Sequence, residues 1–504
     1  MARSKTPSFI TELPLRTSPP QEKALLKRFE AARHVYNACL GEALNRLALL
    51  RQSKAYQAAR AMPKGKERTK AFRDAEAAVG FREYDLNSWS KQFNHSWLDE
   101  HLGSRTVKAL TQRAYLAARR WQLRIGLKGK PGKGRPHFKR RGEMTCVDSI
   151  TNLQGLRWLD GVVVWKGLTL EPIIDENPVI EHGLSSRVKH VRMVRKLEHG
   201  RNRFYVQLVC EGMPFQRVAL GEGRAGLDIG PSTVAVVGHA DAFLQVFCGE
   251  LGSIRGEVRR LQRHLDRQRR ANNPANYNED GTVKKGVKRW ITSNRQRRTT
   301  ALLAEAQRKQ AAYRKSLHGQ LVNRILAMGD QFKLEKLSYV AFQKQWGRSV
   351  RDRAPGIFVE LLRRNVEAGN GTLEEFSPYS TRLSQVCHNC GTVEKKPLSQ
   401  RWHDCPCGIL AQRDLYSAFL AACVEDGSLN AGRANEAWPD AGPLLQAALS
   451  NVQPTNAGVL PQSLGIGRGQ SRSPAKASAK MVDDQDVVPE RGELGKGHRD
   501  AGVP

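Results

Sequence analysis

Four cysteines lie between residues 387 and 407, as CHNCG carrying Cys387 and Cys390 and CPCG carrying Cys405 and Cys407, and three acidic strings bracket them. The acids are Asp228 in AGLDIGPSTVAVVG, Glu335 in FKLEKLSYVAF and Asp414 in AQRDLYSAFLAA. Each stands beside apolar residues that belong in a core, where an unpaired charge is costly to bury. A fold that keeps all three must supply a compensating cation. Two thiol pairs on short turns form a tetrahedral site that suits zinc, and they staple a loop between the second and third acids.

Charge narrows the partner. Of 504 residues, 82 are Lys or Arg and 49 are Asp or Glu, a net charge of +33, which points to a polyanion and by default to nucleic acid. Residues 431–504 hold eight basic and eight acidic residues, so the whole excess lies in residues 1–430. The content of Pro, Gly, Ser and Ala after residue 430 reads as a disordered tail. The other cysteines, Cys39, Cys146, Cys210, Cys248 and Cys423, are scattered, which is no disulfide framework. The start MARSKTPSFITELPL lacks the apolar run of a signal peptide, and no apolar stretch is long enough to span a membrane. The expected setting is a reducing, bacterial-type cytosol close to the nucleoid.

Along the chain, residues 8–16 read as a strand and residues 21–125 as a helical lobe, from Leu26, Phe29, Ala32, Tyr36 and Cys39 and from Val107, Leu110, Ala114, Ala118 and Trp121. A flexible basic stretch follows, with Lys128, Lys130, Lys133, Arg135, Lys139, Arg140 and Arg141. Val191 and Met193, the turn HGRN, and alternating Phe204, Val206, Leu208 and Cys210 make a hairpin, so residues 145–216 read as a small β-barrel or sandwich. Strands RAGLDI, TVAVVGHA and AFLQVFC open a new domain. Two helices follow, whose span of residues 254–324 holds 19 basic residues against five acids, one apolar seam and one phosphate-binding face. A strand near Phe332, a helix over Phe358 to Ala368 and a strand over Gly371 to Phe376 complete an α/β layer.

Alternation places the Asp228 carboxylate on the opposite strand face from Leu227 and Ile229, and Gly226 and Gly230 leave room for a backbone to approach. Glu335 stands at a strand end. Asp414 reads as helical, with small residues Ala411 and Ala418 around it. Three such acids are hard oxygen ligands for two Mg²⁺ ions and suit phosphodiester hydrolysis. The second thiol pair is Cys-x-Cys, which leaves His403 or His388 as an alternative last ligand.

The order GLDIGPST, LEKLSY, zinc ribbon, QRDLYSAFLA resembles the RuvC nuclease of TnpB-like transposon proteins and the related compact type V CRISPR effectors, specifically over residues 224–425. The resemblance implies an α/β multidomain chain with a ribonuclease-H-like nuclease domain, an RNA guide and cleavage of target DNA. It divides the chain into a wedge-like β-barrel (1–20 and 126–223), a helical recognition lobe (21–125), the nuclease domain (224–383 and 410–430), the ribbon (384–409) and the tail (431–504). By the same resemblance, Asp228, Glu335 and Asp414 are the catalytic Mg²⁺ ligands and Cys387, Cys390, Cys405 and Cys407 the structural Zn²⁺ ligands. Many relatives have Asn two positions after the third acid, where this chain has Tyr416. The expected activity is therefore an RNA-guided DNA endonuclease of a mobile element. The other readings are a type V effector, a guide-loaded binder that does not cut, and a transposase using three acids.

Overall fold

The computed structural model describes residues 6–123, 134–286, 289–397 and 399–452. The chain starts with β1 (Ser8–Arg16) and passes into the long helix α1 (Pro19–Gln52), where Pro19 takes the first helical position and Ser18 N–H donates to Gln21 Oε1 at 2.8 Å. Leu25, Phe29, Ala32, Val35, Cys39, Leu40, Ala43 and Leu47 are buried along one α1 stripe. Three shorter helices, α2 (Lys54–Ala61), α3 (Lys66–Ala78) and α4 (Glu83–Ser90), lead to α5 (Ser104–Gln122), which lays Val107, Leu110, Ala114 and Ala118 against that stripe.

Strands β2 (Cys146–Asp148), β3 (Arg157–Leu159), β4 (Val162–Trp165) and β5 (Leu168–Pro172) follow. Then come α6 (Pro178–Ser185) and the hairpin β6 (Val188–Glu198) and β7 (Arg201–Glu211). His199 and Gly200 take φ of 50° and 76°, the type I′ turn that the strand twist favours. With β1 these strands form one antiparallel sheet in the order β2-β6-β7-β1-β5-β4-β3. End strand β3 also touches β6, so the sheet curls, although among the described residues no ladder joins β3 to β2. Helical lobe and sheet share one core, and buried Arg28 joins them by donating to the carbonyls of Trp165 (3.2 Å) and Lys166 (2.9 Å). Lys128, Lys130 and Lys133 of the basic stretch lie outside the described residues. Its other end is anchored rather than flexible, because Lys139 exchanges hydrogen bonds with the Asn37 side chain at 2.8 Å.

The second half is a mixed sheet flanked by helices. It contains β8 (Arg224–Ile229), β9 (Thr233–Val237), β10 (Ala242–Val246), the helix pair α7 (Gly252–Asn272) and α8 (Asn294–Leu326), β11 (Gln331–Glu335), α9 (Tyr339–Arg353), α10 (Pro355–Ala368) and β12 (Thr372–Phe376). The order is β10-β9-β8-β11-β12, with β8, β9 and β10 antiparallel and β11 and β12 running parallel to β8. One face packs Leu227, Ile229, Val234, Val236, Phe332 and Leu334 on α8 and α10. The helix pair closes its own seam with Val258, Leu261 and Ala306.

The chain then runs through α11 (Pro378–Thr381), the cysteine ribbon with β13 (Trp402–Asp404) and β14 (Leu410–Gln412), α12 (Arg413–Ala422), β15 (Val424–Glu425), β16 (Ser428–Leu429) and α13 (Ala431–Ser450). The opposite sheet face, the ribbon, α12 and α13 make one core. Residues 431–450 are therefore folded, against the expectation of disorder. Asn430 caps α13 by accepting from Arg433 N–H at 3.0 Å, and Ala434, Ala441, Leu445 and Ala448 are buried despite Pro439 and Pro443 within the helix. The rest of the expected tail, 453–504, lies outside the described residues. Leu445→Ala is expected to destabilise the C-terminal half by about 2–4 kcal/mol, read by denaturant unfolding, because it empties a buried site. An unchanged midpoint would mean that α13 is not docked. No described helix is long and apolar enough to cross a membrane.

Candidate functional site

Strand parity brings the acids together. Leu227 and Ile229 point into the α8–α10 core, so Asp228 faces α12, and in the parallel pairing Leu334 is level with Leu227, which puts Glu335 level with Asp228 on the same face. Helix α12 comes down on this face because β8 has glycine at 226. A Cβ there would stand 2.0 Å from the carbonyl oxygen of Ala418. Asp414 occupies the first turn of α12, where the helix N-terminus favours a negative charge. Thr233 of the neighbouring strand donates to Asp414 Oδ2 at 3.2 Å and orients it.

Asp228 carries the strongest perturbation of the three. Burial, then Asp414, then Glu335 hold the Asp228 carboxyl well above the usual carboxylate range. Burial pushes Glu335 up to about 7. The nearest cation, Arg413, keeps Nε 3.8 Å from Asp414 Oδ1 and spends Nη1 on the carbonyls of Pro397 and Gln400 at 3.2 and 2.8 Å. A buried Asp414 with half-buried Asp228 and Glu335, Asp228 raised by the other two and only Arg413 close by, is a donor set that hard divalent cations satisfy, so these residues fit Mg²⁺.

A pH dependence follows for the metal-free protein. Glu335 stays protonated up to about pH 7 in the fold but ionises near its ordinary 4.5 in the unfolded chain, so the native state binds the extra proton between those values. Stability therefore falls as pH rises through that window, by about 1.4 kcal/mol per pH unit at most, and Asp228 acts in the same direction. Buried His403, lowered to about 4, acts in the opposite direction over the same range, so the check is a difference: without divalent ions, the parent should lose stability relative to Glu335→Gln as pH rises from 4.5 to 7. A parent that gains stability relative to that variant over the same range would contradict the buried-acid assignment.

Tyr339, the last residue of the LEKLSY string, stands at the start of α9. Burial raises its phenol, followed by the fields of Glu375 and Asp228, so its hydroxyl stays protonated beside the acids. Helix α9 itself was not read from the sequence. Its only signals were the Ser338 cap, whose hydroxyl accepts from Ala341 N–H at 3.4 Å, and a basic, weakly apolar run.

In the ribbon, the four thiol sulfurs lie within 4.8 Å of one another, with Cys387 and Cys407 at 3.5 Å and Cys390 and Cys405 at 3.4 Å. Tetrahedral coordination with Zn–S near 2.3 Å needs sulfurs roughly 3.8 Å apart, so the quartet could hold zinc with little adjustment. The three carboxylates do not close to the spacing of the thiols. Gly391 and Gly408, at φ of 71° and 95°, turn the two knuckles. The hydrogen bond between the Cys390 sulfur and the Thr392 hydroxyl at 3.2 Å, followed by one with the Thr392 backbone, brings the Cys390 thiol down to about 6, toward the thiolate a metal needs.

The histidines are employed elsewhere. His388 Nδ1 lies 2.6 Å from the Tyr416 hydroxyl, and His403 stacks on the Tyr416 ring at 4.3 Å while its Nδ1 faces Lys396 Nζ at 2.8 Å. Burial and then Lys396 lower His403 to about 4, so it is neutral. Cys407, not a histidine, completes the quartet. Tyr416, two residues beyond Asp414, turns away from the acids and ties α12 to the ribbon, its hydroxyl also accepting from His388 N–H at 3.1 Å.

No protein-family model and no curated protein matches the chain. Among solved structures it is similar to a chain of "Cryo-EM structure of the Cas12f1-sgRNA-target DNA complex", with a TM-score of 0.40, 11% identity, and coverage of 82% of this chain and 98% of the other. It is also similar to a chain of "Cryo-EM structure of CRISPR-Cas12f Ternary Complex", with a TM-score of 0.26, 8% identity, and coverage of 82% and 83%.

Proposed function

We propose that the chain is an RNA-guided DNA endonuclease of a mobile element, cutting phosphodiester bonds on a ribonuclease-H-like domain. The observation that carries this reading is the set of Asp228, Glu335 and Asp414, converged by strand parity and by the close seat of α12 into one buried, undercompensated anionic site. Three antiparallel strands continued by two parallel ones, with an acid on the first strand β8, the fourth strand β11 and helix α12 after the ribbon, support the nuclease fold. When bound, two Mg²⁺ ions supply activation of the attacking water and neutralisation of the leaving oxygen.

The remaining work belongs to the chain. Asp228 and Glu335 present their carboxylates from adjacent strands, and Thr233 holds Asp414 toward them. The ribbon fixes the start of α12 through Tyr416 and His388. The basic faces of α7 and α8 hold phosphates, while base pairing with the guide selects the target. A guide-loaded binder would need none of this convergence of acids.

The test is to express the chain with its native flanking DNA, sequence the RNA that copurifies, and challenge the complex with matching DNA and Mg²⁺. A discrete RNA with cutting that depends on it supports the reading, and the origin of that RNA separates a transposon from a CRISPR array. Bound RNA without cutting moves the chain to the guided binders. Absence of RNA returns it to direct DNA recombination.

A further inference from the structure

Between α7, α8 and the second half of α9 lies a recess of about 580 Å³ lined by Arg255, Arg259, Arg314, Arg348, Arg351 and Arg353. Asp352 is the one acid at its wall; it is buried, with one oxygen 3.2 Å from Arg351 Nε and the other without a partner. Six guanidinium groups against one carboxylate leave a strongly positive cavity. Arg314 and Arg353 are partly spent on the protein: Arg314 donates to the carbonyls of Arg351 (3.3 Å) and Asp352 (3.1 Å), and Arg353 donates to Phe247 O and Ser349 Oγ. Arg255, Arg259 and Arg348 are exposed and have no hydrogen bond or ion pair among the described residues. Like charges crowded this way are relieved by an anion, and guanidinium forks match phosphate oxygens.

The recess adjoins the acids. Ser349, on its wall, donates to the carbonyl of Pro231, in the turn that follows Asp228. A helical kink at Trp346, with φ of −120° and ψ of 36°, separates Arg348, Arg351 and Arg353 from the part of α9 that starts beside the acids. The geometry points to a binding site for successive phosphates of a single nucleic-acid strand, placed to hold the strand as it enters the acid site. This rests on the nuclease reading and adds where the substrate strand is gripped.

The test compares two triple variants of the full chain as purified, without divalent ions, by anisotropy of a short fluorescent oligothymidylate over a salt series. Arg255→Ala/Arg259→Ala/Arg348→Ala removes the unpaired arginines of the recess. Arg295→Ala/Arg297→Ala/Arg298→Ala removes equal charge from exposed positions at the start of α8, about 15 Å or more along the helix. The recess triple is expected to weaken binding about tenfold or more and to lower the log–log salt slope by about 2, for three lost contacts to a single strand. The control triple should do clearly less, and replacing the same three recess residues by Lys should restore the slope. Equal losses in both triples mean diffuse attraction and overturn the site. Inorganic tripolyphosphate that displaces the oligonucleotide at concentrations below the oligonucleotide's own Kd would assign the recess to a small phosphorylated ligand and overturn it too. Guided cleavage with indistinguishable triples discards the recess alone; a binding difference without any cleavage discards the nuclease reading and leaves a strand-binding recess.

Discussion

Asp228→Ala is expected to lower guided cleavage by about a thousandfold or more, equivalent to roughly 4 kcal/mol of lost transition-state stabilisation, with RNA and DNA affinity within about twofold of the parent. The acid makes no ion pair among the described residues, and the charges that act on it are those of Asp414 and Glu335, which raise it, and of Arg413, which lowers it. Its removal therefore leaves the basic faces of α7 and α8 intact while deleting one of the three acids on which the proposed cleavage depends. It should also stabilise the metal-free protein at neutral pH, because a buried carboxylate that repels two others is lost. The paired outcome is diagnostic: a lower melting temperature together with lost cleavage would indicate an ordinary structural aspartate, and unchanged cleavage would remove Asp228 from the site.

The second large effect is expected at Cys390→Ser. Three thiolates hold zinc far less well than four, and structural zinc contributes folding free energy directly. The ribbon is not a detached loop, since Cys387 and Cys405 belong to the core that also holds Leu415, Tyr416 and Phe419 of α12. Loosening it frees the helix that carries Asp414. The variant should purify with sub-stoichiometric zinc, lose about 3 kcal/mol of stability in the C-terminal half, or roughly 6–12 °C in melting, and cut more slowly with guide binding intact. Full zinc content with parental melting would show that the quartet staples nothing.

Much of this site is legible in the sequence. Asp228 between Leu227 and Ile229 follows from the two-residue period of a strand, and the four cysteines announce their association by spacing. Other features were hidden by composition. Residues 431–450 looked like the start of a tail because Pro, Gly and Ala dominate them, yet Ala434, Trp438, Ala441, Leu445 and Ala448 recur at alternating intervals of four and three, a helical stripe built mainly from alanine. Alanine adds little to a hydrophobic signal, so the stripe became visible only through Trp438 packing on His388, Tyr416 and Phe419.

The division between the two kinds of information is physical. Residue type and period are local, so the sequence by itself determined the strands and helices that carry the acids, the charge excess of +33, and the thiol set. Tertiary structure alone decided what depends on distance between remote segments: that Gly226 admits the backbone of α12 at a separation no side chain would allow, that Tyr416 reaches the ribbon rather than the acids, that Cys407 and not a histidine completes the quartet, and that arginines from α7, α8 and α9 meet in one recess beside the Asp228 turn. Such contacts join residues tens to hundreds of positions apart, and no local pattern in the chain encodes them.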